Sequence, residues 1–309
     1  MFPPGAALVD GDRAWVLVED EPARGLGPAL AWAIRRGARE LHLLAGRDTG
    51  LLARRAEAFS TPITVWAVDE RTLRLAEAEP LAPPPSPSPD HLALVPTIEA
   101  GGATPVIEHG VVTGEVRGLE VCRVVDDVIG GQVRLEVGVG AHDREAFALI
   151  HGDVPTIDAL AGVVHAVTRH RGAGTADHPL DRLAPERLLR WRLEQDPSPL
   201  GLVSLAQAEP PLPRPYIKDR APCTARGDRG DGSPVVVVCS VGVDLDLIPY
   251  ATDARRLGED RPGVGGGMDF EQAVETIVVV PPRDLVPISV ELAGLLDQPV
   301  ALVSCSLSG

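Results

Sequence analysis

Lysine and asparagine are nearly missing from this chain: 28 of its 29 basic residues are arginine, the single lysine is Lys218, and there is no asparagine. Codons for both are AT-rich, so with Ala, Gly, Pro and Arg in excess the gap reports GC-rich coding before it reports function. No apolar run approaches the roughly 20 residues that span a bilayer; the longest β-rich run, Val235 to Val243, is interrupted by Ser240 and Gly242. The opening Met1 to Gly5 has no basic or apolar leader segment, so the expectation is a cytoplasmic protein without a membrane partner. The four cysteines, at 122, 223, 239 and 305, show no CxxC spacing, which argues for buried free thiols rather than a zinc site. There is no GxSxG elbow, Walker loop or HExxH helix, and the GVGGG run inside Gly258 to Asp269 lacks the spacing of a dinucleotide loop, so no nucleotide cofactor motif is present. Acidic side chains outnumber basic ones 44 to 29, giving −15; such a field repels polyanions and disfavours bulk coating of nucleic acid.

What is present is a pattern of alternating periods. At roughly 100–200 residues per domain, 309 residues suggest about two domains. Residues 1–79 read as strand (Ala14 to Glu19), helix (Leu26 to Gly37), strand (Leu41 to Ala45), helix (Leu51 to Phe59) and strand (Ile63 to Val68), a Rossmann-like βαβαβ unit. Trp15, Trp32 and Trp66 lie in it and are expected to serve as packing mass. Six prolines fall within the linker 80–90. Residues 235–309 repeat the design: strands at Val235 to Val243, Thr276 to Val280 and Val300 to Val303, with helices at Pro249 to Leu257 and Val286 to Leu296. With an offset of 236, Leu41 falls on Ile277, Leu44 on Val280, Arg47 on Arg283 and Asp48 on Asp284. Between these ends, 91–208 reads as a central α+β module and 209–234 as a Pro/Gly-rich connector. The fold class expected is therefore α/β, with two Rossmann-like units, consistent with an internal duplication, flanking a central module of a hairpin and helices.

Four constellations carry chemistry. In the hairpin of Gly114 to Val125 and Gln132 to Gly140, a turn centred on Val128 sets Glu120 opposite Glu136. At about 5 Å and an effective dielectric of about 20, that repulsion is roughly 3 kcal/mol. A divalent metal, Mg or Mn, held by Glu120, Glu136 and Asp143 would offset it, with His142 completing a catalytic set. Alternatively Arg117, Arg123 or Arg134 pairs with the glutamates and the hairpin is structural. Paired acids on a hairpin beside a helix resemble the restriction-endonuclease-like metal nucleases, but Gly138 stands where their lysine belongs.

Five of the eight histidines, 142, 151, 165, 170 and 178, cluster near Asp143, Asp153 and Asp177 without a zinc spacing. Residues 163–192 carry six arginines against three acids, a local +3. There Arg187 and Arg190, three apart on a predicted helix, are spaced to grip a small anionic or phosphate-bearing ligand. Beyond the strand ends, where parallel sheets bind ligands, stand Asp244, Asp246 and Arg283; the bland alternative for these acids is helix capping. The leading expectation is a metal-assisted hydrolase, a nuclease-like phosphoesterase. The rival is a non-catalytic ligand-binding or regulatory protein on a pseudo-symmetric α/β scaffold. The sequence leaves the oligomeric state open.

Overall fold

Alternation and runs of branched residues at both ends of the chain do become strands, with more antiparallel pairing than the periods alone suggest. The structure is a computed structural model that describes residues 5–127, 131–140, 143–144, 156–172, 178–214, 220–259 and 274–306. His142, His151, Asp153, Asp177, Lys218 and nearly all of the Gly258 to Asp269 loop lie outside the described residues.

In chain order the elements begin with β1 (Gly5–Asp10), β2 (Arg13–Val18), α1 (Leu26–Arg35), β3 (Glu40–Ala45), α2 (Thr49–Ala56), β4 (Ile63–Asp69) and β5 (Thr72–Leu75). Next come α3 (Pro89–Leu92), α4 (Val95–Ala100), β6 (Thr104–Glu108), β7 (Val111–Val116), β8 (Leu119–Asp126), β9 (Val133–Val137), α5 (Thr156–His170) and α6 (Pro185–Gln195). The chain closes with β10 (Ser204–Ala208), β11 (Cys223–Asp228), β12 (Pro234–Cys239), α7 (Leu247–Glu259), β13 (Glu275–Val280), α8 (Pro287–Ala293) and β14 (Ala301–Ser304). The fold is mixed α/β with three sheets, mostly antiparallel. Two expectations need correction. Strands β1 and β5 frame the parallel core of the first 79 residues, and β11 lies inside the stretch expected to be only a connector. Among the described residues, no helix is long and apolar enough to cross a membrane.

The chain divides into two compact units, the first of Met1–Ala82, Pro234–Val238 and Gly242–Ser304, the second of Pro83–Ser233, Cys239–Val241 and Cys305–Gly309. In the first unit one sheet has the order β1-β2-β3-β4-β5; β2, β3 and β4 are parallel and both outer strands antiparallel. Parallel neighbours need crossovers, and α1 and α2 supply them. Under these helices Ala14, Val16, Leu41, Leu43 and Val65 are at most 3% exposed. Helix α7 packs on α1 and α2, and α8 on α1, so both ends of the chain share this unit. Strands β12, β13 and β14 follow in that order, with β14 parallel to β13. The segments after α2 and α8 meet reciprocally, Ser60 N–H donating to the Leu295 carbonyl (2.8 Å) and Asp297 N–H to that of Ala58 (3.0 Å). Where α1 meets the entry to α7, a Cβ on Gly27 would lie 1.9 Å from the Leu245 carbonyl oxygen, so only glycine permits that approach.

The second unit is built on the antiparallel sheet β6-β7-β8-β9. Its inner face packs against α4 and α5, with Ile98, Val112, Leu119, Val121, Val124 and Leu160 at 2% exposure or less. Helix α6 packs on β10 and β11, which pair antiparallel. The β7–β8 turn is made by Arg117 (φ 50°) and Gly118 (φ 74°), the two left-handed positions that match hairpin twist. A Cβ at Gly118 would also sit 2.4 Å from the Arg187 carbonyl oxygen. Gly118→Ala is therefore expected to lower the urea midpoint of this unit by the equivalent of about 2 kcal/mol or more. Gly162→Ala, in α5 with nothing within 4 Å of the added methyl, should be neutral or stabilising by up to about 1 kcal/mol. Equal midpoints for the two variants would contradict this account.

Candidate functional site

The acids on which a metal site was expected lie on the outer face of the second unit's sheet, in a different register. Strand β9 sets Glu136 opposite Arg123, not Glu120. Between the pairs Gly114↔Cys122 and Glu115↔Glu120 the β7–β8 register slips, leaving Val121 as an extra residue in β8. In an unbroken strand residues 120 and 123 would face opposite ways; the bulge re-aims them, and Arg123 donates to both Glu120 oxygens at 2.9 Å. Arg144 donates to Glu120 at 2.8 Å and lies 3.5 Å from Glu136, which also pairs with Arg134 at 2.9 Å. Asp143 accepts the Val139 N–H at 3.1 Å. A guanidinium thus stands between Glu120 and Glu136 where a metal was expected, and these described acids do not converge as ligands. Among the described residues no group of three or more His, Cys, Asp or Glu is placed to hold a metal ion.

Arg187 and Arg190 do share a face of α6, and they turn it toward protein carboxylates. Arg187 pairs with Glu108 and Glu115, while Arg190 reaches Glu115 at 3.1 Å, Glu108 at 3.4 Å and Glu194 at 3.2 Å. Burial pushes the Glu115 carboxyl up, but Arg187 and Arg190 outweigh it and hold the group below the usual carboxylate range. The neighbouring Glu186 has no such bonded partner; burial raises it despite Arg214 at 3.8 Å. Arg171 is also fully buried and donates to the carbonyls of Arg117, Leu180, Leu183 and Ala184. Of the six arginines behind the local +3, Arg171, Arg187 and Arg190 point inward, while Arg169 and Arg182 are exposed. A cleft of about 80 Å³ opens beside this network, lined by Glu108, Glu115 and Glu120 and by Arg123, Arg187 and Arg214 among others. Three acids against three bases leave it electrically balanced, and it is far below the roughly 300 Å³ at which metabolite pockets begin. His170 and His178 stack at 4.8 Å, and His178 accepts the Leu180 N–H as a cap. The cysteines are free; burial pushes the Cys122 thiol up to about 12, which keeps it inert.

In the first unit Asp244 and Asp246 were expected in an extended segment, facing one way. Strand β12 ends at Cys239 and the chain turns, so the two diverge. Asp244 meets Arg24 at 2.7 Å and accepts the Asp246 N–H at 3.0 Å. Asp246 is 3% exposed and accepts from Gly27 N–H at 3.1 Å and from Arg55 at 2.6 Å. Arg55 shares itself with Asp253, at 2.7 Å, which Arg54 also holds. The pair looks inconsistent, since Arg55 is stabilised as a cation while burial pushes the Asp246 carboxyl up to about 7. One guanidinium between two carboxylates accounts for both: the arginine has two partners, and Asp246 has half of one. Arg283 is 76% exposed beside Asp284 and belongs to no cluster with Asp246.

One feature escaped the sequence reading. Trp15 stacks on His42, with ring centroids 3.9 Å apart and planes at 16°, and Trp66 Nε1–H donates to His42 Nδ1 at 3.2 Å. This cluster lies on the sheet face opposite α1 and α2. The signal was available: β2 alternates small aliphatics with Trp15 and Leu17, as a strand covered on one face does, whereas β12 is a continuous valine run.

Two outcomes follow. Glu115→Ala removes the most buried carboxylate shared by two buried guanidiniums, leaving them Glu108 and Glu194, and should cost about 3 kcal/mol, whereas Glu136→Ala, in an exposed pair, should cost less than about 1 kcal/mol in urea unfolding. Asp246 generates a pH dependence. With its folded pKa above the ordinary carboxylate value, the folded state holds the proton more tightly, so this group's contribution to stability is fully present below about pH 4, falls as the pH rises toward about 7, and is constant above that. The wild-type melting temperature should thus contain a component that falls from about pH 4 to about pH 7 and is absent from Asp246→Asn; equal slopes would remove Asp246 as its source. No family model, curated protein or solved structure matches the chain.

Proposed function

We propose that this chain is a non-catalytic binding or regulatory protein, the second of the two functions expected from its sequence. The observation that carries this reading is the arginine pairing of the candidate acids: Glu120 with Arg123 and Arg144, Glu136 with Arg134 and Arg144, Glu115 with Arg187 and Arg190. A metal-assisted hydrolase needs carboxylates with open coordinating oxygens and room for an activated water, and here guanidinium N–H groups take those positions. A phosphate-bearing ligand would add negative charge to a cleft already balanced. Among the described residues, one surface suited to recognition is apolar and aromatic, around Trp15 and Trp66. We also read the terminal halves as diverged copies. Both run strand, helix, strand, helix, strand, and their segments after α2 and α8 exchange hydrogen bonds reciprocally, as a local two-fold axis would produce.

Thermal melting with and without millimolar Mg, Mn, Ca or inorganic phosphate tests the reading. A ligand at about 100 times its Kd stabilises by about 2.7 kcal/mol, several degrees for a protein of this size. The expected shift is less than about 1 °C for each addition. A metal-dependent shift of several degrees, abolished in Glu136→Ala, would restore the hydrolase.

A further inference from the structure

We propose that the open face of the β1–β5 sheet docks a second copy of this chain. Both crossover helices lie on one side of that sheet, where Ala14, Val16, Leu41 and Leu43 are buried. Registers place Leu8, Trp15, Leu17, Leu44, Trp66 and Leu75 together on the other side. Leu8 is 57% and Leu75 65% exposed, and the four between them are half-buried. In the same unit β12 and β13 show the alternative: Val235 to Val238 and Ile277 to Val280, on both faces, are at most 3% exposed. Among the described residues the first sheet shows no such burial on its second face.

The face is rigid and self-satisfied. His42 Nδ1 accepts from Trp66, which leaves its Nε2–H directed to Glu40 Oε1 at 3.1 Å, and Trp15 closes over the ring. These polar groups already have partners, so the face favours an apolar surface over a small polar ligand. Five strands at about 4.8 Å and three same-face positions at about 6.8 Å give a footprint of about 500 Å², within the range in which the largest apolar patch of a protein is often functional. Two such faces buried against each other remove about 1,000 Å² in total, near the lower end of the roughly 1,200–2,000 Å² of a specific contact.

Three properties select a second copy as the occupant. The charges on the face are confined to one end, where Asp10, Arg13 and Glu40 include both signs, with Arg13 3.2 Å from Glu40. That near-balance gives no basic or acidic partner an advantage and keeps the −15 of the chain off the contact. The large Trp15 and Trp66 stand beside the small Thr64 and Ala6 in neighbouring positions, so the surface holds both knobs and recesses, as an isologous two-fold contact requires.

Sedimentation equilibrium of the full chain from about 1 to about 100 µM decides it. The expected mass is twice 32.6 kDa over most of that range. Leu75→Glu and Leu8→Glu, at exposed edge positions that a folded chain tolerates, should each weaken the dimer at least about 100-fold by placing an unpaired carboxylate in the contact. Val290→Glu, an equally exposed apolar position on α8, should leave it intact. Circular dichroism verifies the fold, and either edge variant reads the contact if the other misfolds. A monomer at about 100 µM, including one that binds a different protein there, overturns the proposal. So does a dimer that survives both edge substitutions.

Discussion

A charge removed from water must meet an opposite charge or a dense set of dipoles, or it does not stay charged. Much of this molecule is arranged by that constraint. Helix α6 is held to the β6–β9 sheet by Arg187 and Arg190 against Glu108 and Glu115. Helix α2 is held to α7 by Arg54 and Arg55 against Asp246 and Asp253. Arg171, fully buried, takes the other solution and binds carbonyl dipoles, tying the segment before α6 to the β7–β8 turn. A chain whose basic residues are nearly all arginine is suited to this, because a planar guanidinium can serve two carboxylates at once, as Arg55 and Arg187 do.

The same constraint decides what the acids can do. A glutamate bonded by two guanidiniums has few oxygens free for a metal, and its proton affinity falls, as for Glu115. Where the balance is incomplete the effect reverses: Glu186 and Asp246, buried with less than a full partner, are pushed up. The unusual titration in this protein therefore marks unequal sharing of arginines between neighbouring acids.

The second organising fact is sidedness. Because the crossovers of β2, β3 and β4 fall on one side, the strands alternate, and their outer positions carry indoles, an imidazole and leucines, with charge confined to the Arg13–Glu40 end. An ordinary solvated face would be polar there. Apolar side chains at such positions leave water only if something covers them.

Element types and candidate residues were legible in the chain. The period-two and period-3.6 segments gave the strands and helices of both ends, Pro80 to Pro89 marked an extended stretch, and Glu120, Glu136, Arg187 and Arg190 stood out by charge and spacing. Their partners were not legible. The β8–β9 register sets Arg123, not Glu120, opposite Glu136, and in the β7–β8 pairing one extra residue, Val121, sets Glu120 opposite Glu115. The charges that neutralise Glu115 come from 72 and 75 residues away. The short antiparallel strands β1, β5 and β11 gain their order from neighbours more than from their own composition. Sequence periodicity therefore determined which segments are strands and helices and which faces are apolar, because those follow from local geometry. Only the tertiary structure decided which charges meet, because a Coulombic pair depends on distance in space and a one-residue bulge is enough to exchange its partner.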